Sequence, residues 1–299
     1  MVFMNNPDGS TGGDAKKKVR KRNRGLRHEP AISAAIRQSI AHMGKRQPGP
    51  DEKAQSLIYE AWETPRRIDR IALARKAIGI DPDSADAYVI LAEDAATSLA
   101  ETIEFYQQGV LAGERYLGKE TFDRDAGSFW GILSTRPYMR AREGLASSLW
   151  EAGGRDEAVR HYSDMLRLNS RDAQGIRYIL FGCLLELGRD EQLDKLLREN
   201  RESSAWWAYT AAALAFKKGG NTAGSRRLLR DSLQLNRHVP DFLLGRKLMP
   251  TRMPDSYSPG DENQAIGYVD LCGNGWRNVP GALEWLAKHG SGRRETLKS

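Results

Sequence analysis

Along most of the chain, apolar positions recur at the three-to-four-residue spacing of an α-helix. Strict apolar–polar alternation, the mark of a half-buried strand, is essentially absent. The stretch KAIGIDPDSADAYVILAEDA (Lys76–Ala95) sets the pattern: alanine-rich helical sequence lies on both sides of Pro82. Proline lacks an amide proton and stops one helix there. The next restarts at once, with Tyr88, Leu91, Ala92 and Ala95 on one face. A second helix follows over Glu101–Val110. From Asp51 onward such helices come in pairs separated by short breaks.

The pairs repeat. Leu145, Ala146, Leu149, Gly153, Ala158 and Tyr162 hold one set of offsets; Leu180, Leu184, Gly188, Leu193 and Leu197 hold a second. A third set is Ala212, Ala213, Phe216, Gly220, Leu229 and Ser232. An earlier half-unit supplies Leu57, Ala61, Trp62, Ile71 and Ala74. Small residues fall where two helices must touch. This pattern resembles the tetratricopeptide repeat, a helix–turn–helix unit of about 34 residues. Pro82 and Ser170 are 88 residues apart, two repeats plus about twenty. The excess falls on KETFDRDAGSFWGILSTRPY, read as an insertion. The expected fold class is all-α: a tetratricopeptide-repeat-like solenoid of helical hairpins over residues 51–237. Residues 238–290 are expected to form an extended segment and capping helices. Asp261 would start one helix and Pro280 another. An open stack needs such a cover on its exposed apolar end.

Charge divides the chain. Residues 1–50 hold eleven Lys/Arg and three Asp/Glu, a balance of +8, which leaves −1 for the remainder of a chain whose net charge is +7. Residues 1–50 therefore read as a basic, mostly disordered tail, with a short amphipathic helix near 31–43 carried by Ile32, Ile36 and Ile40. Residues 291–299 read as a second disordered tail. Lys16, Lys17, Lys18, Arg20, Lys21, Arg22 and Arg24 crowd one short run. Residues 16–27 suit association with nucleic acid or an anionic surface, although no aromatic residue interleaves them for base stacking. The longest apolar run, Ala205–Phe216, is too short to span a bilayer. With no export signal, no transmembrane segment and only Cys183 and Cys272, a cytoplasmic protein without disulfides is expected.

Three stretches carry a more specific likeness. EAWETPRRIDRIALARKAIGIDPDSADAYVILAEDAATSLAETIEFYQQGVLAG, LNRHVPDFLLG (Leu235–Gly245) and GDENQAIGYVDLCGNGWRNVPGALEWL (Gly260–Leu286) resemble, in order, segments of the suppressor of tumorigenicity seven protein family. The resemblance covers roughly Gln55 to Leu286. It implies helical repeats and no established enzymatic activity or cofactor. Animal members of that family are membrane proteins with hydrophobic N-terminal segments, where this chain has a basic tail.

Candidate catalytic chemistry is sparse. GERYLGKE (Gly113–Glu120) nearly matches a phosphate-binding loop, but Glu120 stands where a hydroxyl is needed and helical sequence precedes it. The five histidines are scattered and none has metal-ligand spacing. Asp156–Glu157 and Asp190–Glu191 open second helices, where they favour the helix dipole. No enzyme, cofactor or metal is expected. The expected function is a non-catalytic scaffold or adaptor, gripping a partner peptide or helix in the repeat groove. Exposed positions of the first helices would line that groove: Val89, Glu93, Arg140, Glu143, Trp150, Tyr178, Trp207 and Lys217. Aromatic residues and arginine are the types enriched at binding hot spots.

Overall fold

A computed structural model describes residues 49–290. The basic tail, the amphipathic segment near 31–43 and residues 291–299 lie outside the described residues. Thirteen α-helices follow one another, and no strand occurs among the described residues. They are α1 (Pro50–Glu63), α2 (Arg67–Ile80), α3 (Ala85–Ile90), α4 (Leu99–Arg124), α5 (Arg136–Glu151), α6 (Arg155–Leu168) and α7 (Ile176–Leu187). Then come α8 (Asp190–Glu199), α9 (Ala205–Gly219), α10 (Ala223–Leu235), α11 (Val239–Leu243), α12 (Glu262–Asn278) and α13 (Ala282–His289). A π-turn over Leu91–Ala95 extends α3.

Local chemistry fixes the helix starts. Ser98, Ser204, Thr222 and Asp261 each accept an amide hydrogen bond from the third residue onward, at the head of α4, α9, α10 and α12. Those side chains satisfy amides that the first turn leaves without partners. Pro82 lies in the turn between α2 and α3. Gly188, at φ 67°, closes α7 in the left-handed conformation that glycine takes at least cost.

Neighbours in sequence pack as pairs: α1 with α2, α3 with α4, α5 with α6, α7 with α8 and α9 with α10. First helices also meet, α3 on α5 and α7 on α9. The stretch GERYLGKE lies inside α4, where Gly113 packs against Tyr138. It is a helix contact, with no strand before it. The twenty-residue insertion becomes the end of α4, two 3-10 turns and the start of α5. Phe122 anchors it, with ring centroids 5.2 Å from Phe129 and 5.1 Å from Tyr138.

Two cores result. Ala54, Ile58, Ala61, Ala74, Ala77, Ile90 and Leu91 fill the space among α1, α2 and α3. A larger core runs from Val110 and Tyr138 through to Leu286. The C-terminal region departs from the sequence expectation. Its first part is helical (α11), and residues 244–261 lack a helix. Beyond them, α12 does not simply cover the last hairpin. It turns back onto α7, two hairpins earlier, and also touches α9 and α11. The reason is steric and apolar at once. Gly182 of α7 brings its backbone against the Leu271 carbonyl, and a Cβ at Gly275 would lie 2.7 Å from the Leu185 Cγ. Two glycines, one on each helix, permit an approach that side chains would block. Trp285 of α13 then stacks on Phe216 at 4.5 Å.

Candidate functional site

The most developed polar cluster lies where α1, α3, α5 and the α6–α7 loop converge. Asp86 opens α3 with its side chain fully buried, and Arg140 of α5 meets it through two hydrogen bonds of 2.8 and 2.6 Å. The Arg140 guanidinium also sits 5.1 Å from the centre of the Trp62 ring. One arginine thus ties the core of α1–α3 to the rest of the molecule. A buried carboxylate needs such a partner, because an unpaired buried charge is costly.

One turn along α5, the half-buried Glu143 accepts a 3.0 Å hydrogen bond from the Gln174 Nε2. Burial pushes its carboxyl up to about 7; the Gln174 amide opposes the shift, the charge on Asp172 adds to it, Arg140 opposes it and Glu93 adds to it. The side-chain oxygen of Gln174, Oε1, is buried and has no hydrogen-bond partner. Asp172 stands beside it at φ 49°, a left-handed position that a non-glycine residue seldom takes. Its carboxylate accepts the Ile176 and Arg177 amides and the Arg177 guanidinium, so it caps α7. Arg177 in turn reaches Glu202 at 3.5 Å.

Of the eight residues expected to line a groove, the structure therefore brings Glu93, Arg140 and Glu143 together. The others lie elsewhere. Val89 and Trp150 were expected on the surface but are 7% and 3% exposed and belong to the core. Trp150 packs under the Arg155 guanidinium, 4.0 Å from its ring centre. Lys217 pairs with Asp190 at 2.6 Å, joining α9 to the head of α8. Tyr178 stacks at 5.1 Å on Trp206, not on its neighbour Trp207, and Tyr257 approaches Trp206 from the 244–261 segment. Trp207 points about a quarter-turn away. Its indole donates to the Leu197 carbonyl and it lines a shallow cleft of about 400 Å³ with Leu228, Asp231 and Leu235.

A model of the ST7 protein family matches residues 31–292. The chain belongs to the ST7 protein family. It is 25% identical over 256 residues to a suppressor of tumorigenicity 7 protein-like protein of Gallus gallus, a match covering 78% of this chain and 46% of the relative. The suppressor of tumorigenicity 7 protein-like protein of Homo sapiens is 25% identical over 258 residues, covering 78% and 44%. The suppressor of tumorigenicity 7 protein of Macaca fascicularis is 25% identical over 282 residues, covering 78% and 52%. This ST7-family chain spans about half the length of the curated relatives it matches. Among its described residues, no helix is long and apolar enough to cross a membrane.

Among the described residues, no group of three or more His, Cys, Asp or Glu is placed to hold a metal ion. Cys183 and Cys272 are buried thiols, and burial pushes Cys272 up to about 12. His161 is lowered by burial and accepts from the Arg142 guanidinium at 3.2 Å. Sequence reasoning missed Asp86, Asp172 and Gln174. An acidic residue in a first helical turn reads as a dipole contact, and a polar loop residue reads as solvated. Only the packed structure turns them inward.

Proposed function

We propose that this chain is a non-catalytic scaffold, a tetratricopeptide-like stack whose first helices present a face to a segment of a partner protein. One observation carries the reading. The chain already seats a helix of its own, α12, on α7 and α9, with glycines at the closest approach. Such a face accepts a helix. The neighbouring stretch formed by α3 and α5 carries half-buried Glu93, Arg140 and Glu143, and on this reading it is the face for an outside partner. A rigidly held arginine such as Arg140 suits partner contacts at low entropic cost.

The test is site-specific photocrosslinking in cells. A photoreactive residue replaces Glu93 or Ser147, and in a control Arg230 on the exposed side of α10. The expected result is one protein crosslinked from the first two positions and not from the third. Crosslinks from the control position alone, or from none, would overturn the reading.

A further inference from the structure

Each first helix after α1 has the second helix of the preceding pair against it: α2 meets α3, α4 meets α5, α6 meets α7 and α8 meets α9. Helix α1 has no second helix before it among the described residues. The groove that it forms with α2 stands open there. Glu60 and Thr64 of α1 line a cleft of about 370 Å³ with Asp69, Ala72, Leu73 and Lys76 of α2. Along the same faces the apolar stripe continues. Half-buried Leu57 lies one turn before Glu60, and Ile80, 37% exposed, lies two turns after Leu73. The core behind this groove is built largely of alanines, with Ala54, Ala61, Ala74 and Ala77 beside Ile58. It has little apolar bulk of its own, so a cover over Leu57, Leu73 and Ile80 would add a sizeable share.

We propose that residues 31–43 of the same chain pack as a helix in this groove, in the position that α2, α4, α6 and α8 hold against the helices after them. Ile32, Ala35, Ile36, Ile40 and Met43 fall on one helical face. As a helix the segment measures about 20 Å, and α1, with 14 residues, about 21 Å. Six residues, 44–49, join the two. Elsewhere the step from a second helix to the next first helix takes four residues (81–84), seven (169–175) or five (200–204). A connection this short makes its helices antiparallel neighbours. It sets Met43 beside the head of α1 and Ile32 beside its tail, where the cleft of Glu60, Thr64 and Leu73 opens. Charge agrees: residues 31–48 carry +3 with no acidic residue, and α1 carries −3. The family match begins at residue 31 and so takes in this segment with the helices that follow. A second copy or a membrane surface would use the apolar stripe alone. The linker length and the open position in the stack belong to the intramolecular contact, which stands whether or not a partner binds.

The test uses the purified full-length chain. A photoreactive residue replaces Ala35 or Ser39, which border the isoleucine stripe, or in a control Ala34 on the opposite face. The protein is irradiated as an equal mixture of nitrogen-15-labelled and unlabelled chains. The first two positions are expected to crosslink to residues 57–80 of their own chain, and Ala34 is not. Crosslinks of mixed label would assign the stripe to a second copy. Absence of any crosslink to residues 57–80 would assign it to an outside partner or surface. Either result overturns the docking, as does equal capture from all three positions. Hydrogen exchange gives a second readout that leaves the groove itself unaltered. Ile36→Asp should speed exchange of the α1 and α2 amides by roughly tenfold or more, because one isoleucine leaves an apolar seat. Gln38→Asp adds the same charge on the opposite face and should leave exchange unchanged. Equal effects of the two substitutions, or none from Ile36→Asp, overturn the proposal.

Discussion

Glu143 shows how one side chain can carry a pH dependence. Its carboxyl is raised by burial to about 7 in the folded chain, against about 4.3 in an unfolded one. A raised carboxyl binds its proton more tightly when folded. Its contribution is therefore fully present below the unfolded value and is lost as pH rises through about 7. Thermal melts of wild type and Glu143→Gln between pH 4 and 8 should diverge, with the wild type losing stability relative to the variant across that window. Parallel curves would reject the assignment. Asp172 is also raised by burial, against the pull of Arg177 and two backbone amides. Arg140 is a different case. It serves Asp86 and Trp62 together, and its worth is in joining two cores rather than in titrating.

At the scale of elements, α7 explains the C-terminal region. Its residues 180–185 are buried without a break. A helix covered on one face shows a stripe; one that is apolar all round must be covered on every side. Helices α6, α8 and α9 cover part of it, and α12 covers the remainder. Gly182→Ala should therefore be destabilising although alanine is the better helix former. Its methyl would meet the Leu271 backbone, which cannot rotate away as a side chain can. We expect a loss of roughly 1–3 kcal/mol, read by urea denaturation. A neutral or stabilising change would mean that α7 and α12 are not in this contact. The pairing of helices was legible from the repeated offsets, and so was the capping residue Asp261. The partner of α7 was not, because nothing local to α12 says which surface its apolar face meets.

Across the whole molecule, α12 and α13 complete the larger core. Tyr268, Cys272 and Trp276 are fully buried, and Trp285 stacks on Phe216 of α9. The sequence read this region as a cover for the end of the stack. In the fold it is continuous with the core from α5 onward. Removing residues 246–299 should consequently do more than expose an edge. It would uncover the Gly182 face of α7 and the aromatic side of α9. The expected outcome is an aggregation-prone product with a broad, weakly cooperative melt. A truncated chain that keeps a sharp transition near that of the intact protein would assign the region a separable role.

The sequence by itself determined the helical class, the pairing of neighbours and the family, because these follow from local periodicity, turn chemistry and recurring motifs. Only the tertiary structure decided that Trp206 rather than Trp207 meets Tyr178, that Val89 and Trp150 are core, and that Asp86, Asp172 and Gln174 gather around Arg140 and Glu143. The physical reason is common to all three. A helix presents each residue at a fixed angle, but which angle faces solvent depends on the elements packed around it, and those come from far along the chain.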